Sequence, residues 1–69
     1  MPKVNKYTVL LERDSDGWIV AKAPDIPGCY TQGKTAAQAM ERIKEAISVC
    51  LESEKIKPNE FIGIQQVEV

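Results

Sequence analysis

Histidine is absent from this 69-residue chain, and the other chemistry-bearing side chains are few: two cysteines, one tryptophan, two tyrosines and one phenylalanine. Without histidine the commonest general base at neutral pH is missing, and no Cys–His nucleophile pair can form. Two cysteines as widely spaced as Cys29 and Cys50 do not make a tetrahedral zinc site. The first residues do not resemble a signal peptide, so a disulfide framework is not expected and both thiols read as reduced. No apolar run approaches the roughly 20 residues that cross a bilayer, so membrane insertion is not expected and the chain reads as cytoplasmic. A basic excess is missing as well. Nine Lys and Arg against ten Asp and Glu give a net charge of −1. The basic residues are scattered and mostly have acids nearby, as Arg13 does between Glu12 and Asp14. Nucleic-acid binders usually carry a basic stripe, so direct binding of DNA or RNA is not expected.

The remaining residues offer little for chemistry. Gly28 and Gly33 are separated by a short predicted strand and no Gly-Lys-Ser/Thr follows, which excludes a phosphate-cradling loop. Glu41 and Glu45 lie one turn apart on the polar side of a predicted helix, and Asp14 and Asp16 lack the spacing of a calcium loop. Cys29, after Pro27-Gly28, reads as a small buried or half-buried thiol, and Cys50 as core. No catalytic, cofactor-binding or metal-ligating residue is assigned.

What is present is a single α+β domain over 1–69. Lys6 to Glu12 reads as a strand, Asp14-Ser15-Asp16-Gly17 as a turn in which Gly17 takes a positive φ, and Trp18 to Ala23 as the second strand of an antiparallel hairpin. Pro24 ends that strand. Pro27-Gly28 suits the centre of a type II turn, and Cys29 to Gln32, closed by Gly33, makes a short third strand. Thr35 with Gln38 forms a capping box. From there Ala36, Met40, Ile43, Ile47, Cys50 and Leu51 recur at helical spacing, to an end near Glu54. The segment Lys55 to Asn59, with Pro58 and Asn59, reads as a loop, and Phe61 to Val69 as a last strand. The order is β-β-β-α-β: a small, mostly antiparallel sheet with one helix on one face.

A lone helix covers one face of a sheet, and one-sided antiparallel strands alternate apolar with polar residues. These strands do not. Val9-Leu10-Leu11 and Trp18-Ile19-Val20-Ala21 are continuous apolar runs, and the last strand carries Ile62 and Ile64 on one parity but Val67 and Val69 on the other. A chain of this size buries only about 60% of its unfolded surface and usually gains stability from elsewhere. The spare face or an edge is therefore expected to meet another chain, in a homodimer or larger homo-oligomer. The residues assigned to that interface are Trp18, Val20, Ile64, Val67 and Val69. Trp18 stands out because it follows a turn, where a large ring is hard to bury, and tryptophan is enriched at binding hot spots.

The run Ala23-Pro24-Asp25-Ile26-Pro27-Gly28-Cys29, then Gln32-Gly33-x-Thr35-x-x-Gln38-Ala39, resembles the signature of the HicB-like antitoxins. The resemblance extends upstream through Tyr7, Val9, Leu11 and Asp16-Gly17, and downstream through Glu45-Ala46. Two departures are visible. Gln38 stands where the family usually has glutamate, and glutamine serves a capping box equally. The C-terminal helix-turn-helix or ribbon-helix-helix DNA-binding domain of full-length members has no counterpart in these 69 residues, so operator binding is not carried over. The resemblance implies a pared-down ribonuclease H fold and a HicA-type RNA-cleaving toxin as partner. Ribonuclease H chemistry needs clustered carboxylates holding two metal ions, whereas the first strand offers only Glu12 at its end. The expectation is a non-catalytic antitoxin-like binding module. A structural homo-oligomer without a toxin is the alternative. An enzyme, either a residual metal-dependent nuclease or a cysteine-dependent activity at Cys29, is the remote one.

Overall fold

The computed structural model describes residues 6–53 and 57–69. Three strands, β1 (Leu10–Arg13), β2 (Ile19–Lys22) and β3 (Tyr30–Gly33), form an antiparallel sheet in the order β1-β2-β3 and are followed by one helix, α1 (Ala36–Glu52). Each strand is four residues long, so β1 and β2 are shorter than the expected Lys6 to Glu12 and Trp18 to Ala23, β1 losing its first residues and β2 one at each end. Asp14 organises the first turn. Its Oδ1 accepts the N–H groups of Asp16 and Trp18, each at 2.9 Å, and its carbonyl accepts Gly17 N–H at 3.1 Å. Gly17 has φ +89° and Gly28 φ +74°, as each turn requires. Across Pro27-Gly28 the Cys29 N–H donates to the Ile26 carbonyl at 3.1 Å, closing the expected turn.

Register fixes which residues face the helix. Leu11 pairs with Ala21 and Ala21 with Thr31, while Ile19 pairs with Gly33. Ile19, Ala21 and Ala23 therefore point to the helix side, and Leu10, Val20 and Lys22 to the other. The continuous apolar run of β2 is thus two half-faces rather than one buried strand. The core is small: Ala21, Ala23, Ile26, Cys29, Ala39 and Ile43, with Tyr7, Val9, Ile19, Met40, Ala46, Ile47 and Cys50 packed against it. Ile26 and Ile43 are its largest fully buried members.

The helix begins as its sequence requires. Thr35 is the N-cap and its Oγ1 accepts Gln38 N–H at 3.1 Å; Gln38 Oε1 reaches back to Lys34 N–H at 2.7 Å. Arg42 ties the first turns to β3 by donating to the Gln32 carbonyl at 2.9 Å. A β-carbon on Gly33 would lie 2.7 Å from the backbone nitrogen of Ala39, so only glycine lets the helix approach the sheet this closely. The helix lies over β3 and β2 and leaves β1 largely uncovered. Two members of the expected stripe are corrected: Ala36 and Leu51 are exposed, and Ala39 takes the central place. The helix ends at Glu52; Glu54 and Lys55 lie outside the described residues.

The expected last strand is not formed. No strand is seen from Phe61 to Val69, and every residue from 57 to 69 is exposed, so the described order is β-β-β-α. A strand exists only through its ladder, and this segment lies against no sheet edge. Its one backbone hydrogen bond to the body among the described residues runs from Asn59 N–H to the Asp25 carbonyl. The Cα radius of gyration, 13.3 Å, exceeds the about 11 Å of a compact chain of this length.

Candidate functional site

The outer sheet face is built by alternation. Leu10 and Val20 are half-buried at its centre. Around them stand the Glu12–Lys22 ion pair at 2.6 Å, Gln32 and Tyr30, a residue 70% exposed. Trp18 is half-buried just before β2, where it lines a shallow depression with Asp16, Gly17 and Lys34. The hairpin turn holds it there, because the Asp14 carboxylate accepts its N–H. Two of the five interface residues, Trp18 and Val20, thus lie on the hairpin. The other three, Ile64, Val67 and Val69, lie exposed on the C-terminal segment, and the structure does not bring the two groups together.

A second apolar surface was not singled out from the sequence. On the helix side of the sheet, beside β1, an open groove of about 370 Å³ is lined by Tyr7, Val9, Met40, Ile43, Lys44, Ile47 and Ser48. A shallower depression formed by Leu11, Glu12, Arg13, Ile19 and Ala36 extends the surface along the strand. Leu11 is opposite the fully buried Ala21, yet it remains 47% exposed because the helix does not reach it. The signal was present in the sequence as the alternation of Tyr7, Val9 and Leu11, and only the position of the helix turns it into a trough.

Cys29 and Cys50, distant in sequence, meet in the core. Burial first, and then the hydrogen bond and charge of the Cys50 thiol, push the Cys29 thiol from 9.0 up to about 11. A nucleophilic cysteine needs the opposite shift. Among the described residues no three His, Cys, Asp or Glu side chains are grouped so as to hold a metal ion, and no helix is long and apolar enough to cross a membrane. Asp25 is buried. Its Oδ2 accepts Thr8 N–H at 3.4 Å, its carbonyl accepts Asn59 N–H, and its Oδ1 has no partner among the described residues. The carboxyl thus sits where the start of the sheet and the start of the C-terminal segment converge.

The motif Ala23 to Cys29 proves to be architectural. Ala23, Asp25, Ile26 and Cys29 are its buried members, and its two prolines and glycine shape the turn. The model of the HicB-like antitoxins of bacterial toxin–antitoxin systems matches residues 7–67. This chain belongs to the HicB-like antitoxin family. A UPF0150 protein of Archaeoglobus fulgidus is 49% identical over 65 residues, covering 93% of this chain and 94% of the relative. A UPF0150 protein of Synechocystis is 43% identical over the same coverage. One from Thermoplasma acidophilum is 53% identical over 57 residues, 83% of this chain and 81% of the relative. The HicB-like match includes the C-terminal segment to Val67, so Ile64 and Val67 lie within the matched region as the hairpin does.

Proposed function

We propose that this HicB-like chain is a non-catalytic, cytoplasmic binding module that occludes a small HicA-type RNA-cleaving toxin. The family match across residues 7–67 carries the reading. The outer hairpin face supports it, since it offers a semi-exposed tryptophan, a tyrosine and two aliphatic side chains beside the Glu12–Lys22 ion pair. Such a surface binds by desolvation of aromatic and aliphatic anchors rather than by charge. Occlusion requires no chemistry from the antitoxin: covering the toxin's RNA-binding surface is enough. Trp18 and Val20 are assigned to the toxin contact, while Ile64, Val67 and Val69 are left for self-association.

The test is co-expression with the adjacent open reading frame, followed by pull-down and an RNA-cleavage assay. The expected result is co-purification of a small basic protein whose ribonuclease activity is suppressed by this chain. Trp18→Ala, folded by circular dichroism, is expected to weaken the complex by on the order of 2 kcal/mol, about 30-fold in affinity. Unchanged affinity would place the contact elsewhere. Metal-dependent RNA cleavage by the isolated chain, lost in Glu12→Gln, would replace this reading with that of a residual nuclease.

A further inference from the structure

We propose that the C-terminal segment of one copy serves as the missing fourth strand of a second copy, laid along β1 with Ile62 and Ile64 in the trough beside Tyr7, Val9 and Leu11. The first observation is a pair of complementary vacancies in one chain. Ile62 is 94% exposed and Val67 83%, while among the described residues the outer edge of β1 has no neighbouring strand and the inner face beside it is an apolar trough. The second is spacing. Ile62 and Ile64 are two residues apart, so they share a face in extended chain, as Tyr7, Val9 and Leu11 do. The third is length. Residues 61–69 extend about 30 Å at ~3.3 Å per residue, and 7–13 about 23 Å, so the segment spans the trough with residues to spare.

A second copy is the occupant because the tail departs from its own body. It is tethered at Asn59 to the Asp25 carbonyl and exposed throughout, leaving its own trough empty. Exchange about a two-fold axis satisfies both chains with one self-complementary interface, each giving a strand and receiving one. The tail edge lacks the usual protection, since Ile64-Gln65-Gln66-Val67 holds no proline or lysine, and β1 keeps its charges, Glu12 and Arg13, to its last two residues. The exchange needs no toxin and goes beyond the proposed function, so it stands or falls independently of it.

The experiment uses the full chain without toxin, in a Cys29→Ser, Cys50→Ser background whose fold is checked by circular dichroism. Val9→Cys and Ile64→Cys are introduced singly in two preparations and together in a third, and treated with a short bismaleimide. Mixing the two single-cysteine chains is expected to yield a covalent heterodimer, and light scattering of the unmodified chain a dimeric mass. Ile62→Lys with Ile64→Lys is expected to shift that mass to a monomer with helix content kept. A monomeric wild-type chain whose double-cysteine form closes on itself would overturn the proposal, since the tail would then complete its own sheet. So would a dimer that survives both lysines and gives no cross-link between Val9 and Ile64 positions.

Discussion

The turn from Ala23 to Cys29 and the segment from Phe61 to Val69 have comparable apolar content and opposite fates. In the first, Ala23, Ile26 and Cys29 are nearly inaccessible; in the second, Ile62, Ile64, Val67 and Val69 all face solvent. The difference lies in what each segment has to pack against. The turn is pinned by hydrogen bonds from Ile26 to Ala23 and from Cys29 to Ile26, and a helix lies over the strands it joins. Among the described residues the tail has one backbone hydrogen bond to the body, and it is exposed throughout. Burial is a property of a pair of surfaces, and a segment that lacks its pair within the chain remains open to another chain.

This contrast breaks down if substitutions in the two regions behave alike. The largest expected effect is from Ile43→Ala, which empties the centre of a core whose largest fully buried side chains, among the described residues, are Ile26 and Ile43. It should cost about 2–5 kcal/mol of folding stability and leave little folded protein in so small a domain. The matching change Ile62→Ala should alter the stability of the isolated monomer by no more than about 0.5 kcal/mol and act on association instead. Denaturant titration of both variants at low concentration separates the two. Gly33→Ala comes next: the added methyl meets the Ala39 backbone at 2.7 Å, and overpacking of this kind costs about 1–3 kcal/mol. A neutral result would mean that the helix shifts freely on β3. Thr35→Ala removes the bond to Gln38 N–H and should cost about 1 kcal/mol, seen as reduced thermal stability with unchanged association.

Much of the body was legible. Asp14 to Gly17, Pro27-Gly28 and the Thr35–Gln38 cap are local signals whose hydrogen bonds form between residues at most four apart, so their outcome depends little on tertiary context. The stripe of α1 was legible in period but not in phase at its ends, where Ala36 and Leu51 lie beyond the sheet. Phe61 to Val69 was misread because β-propensity reports suitability for a half-buried pleated surface, whereas a strand also needs a partner edge. The trough beside β1 and the meeting of Cys29 with Cys50 depend on where the helix crosses the sheet, which no local pattern encodes. Trp18 and Val20 lie on the hairpin, and the three tail residues assigned with them lie apart from it.

The smallest predicted effect concerns the core thiol. Cys29 is raised from 9.0 to about 11, so the fold favours its protonated form. Its contribution to stability is therefore fully present below pH 9 and is lost as the pH rises through about 11. The stability difference between wild type and Cys29→Ala should narrow over that window. At pH 8 alkylation of Cys29 should be far slower in the folded protein than in denaturant. Equal rates would show that the body is not closed around it.

Amide hydrogen exchange followed across a range of protein concentrations tests most directly whether the tail finds its cover on another chain. At dilution the amides of 62–69 should exchange almost at the rate of free peptide while those of β2 remain protected. As concentration rises, protection should appear at 62–69 and at the free edge of β1 together. Protection of 62–69 that is already complete at the lowest concentration, or absent at the highest, would contradict the account.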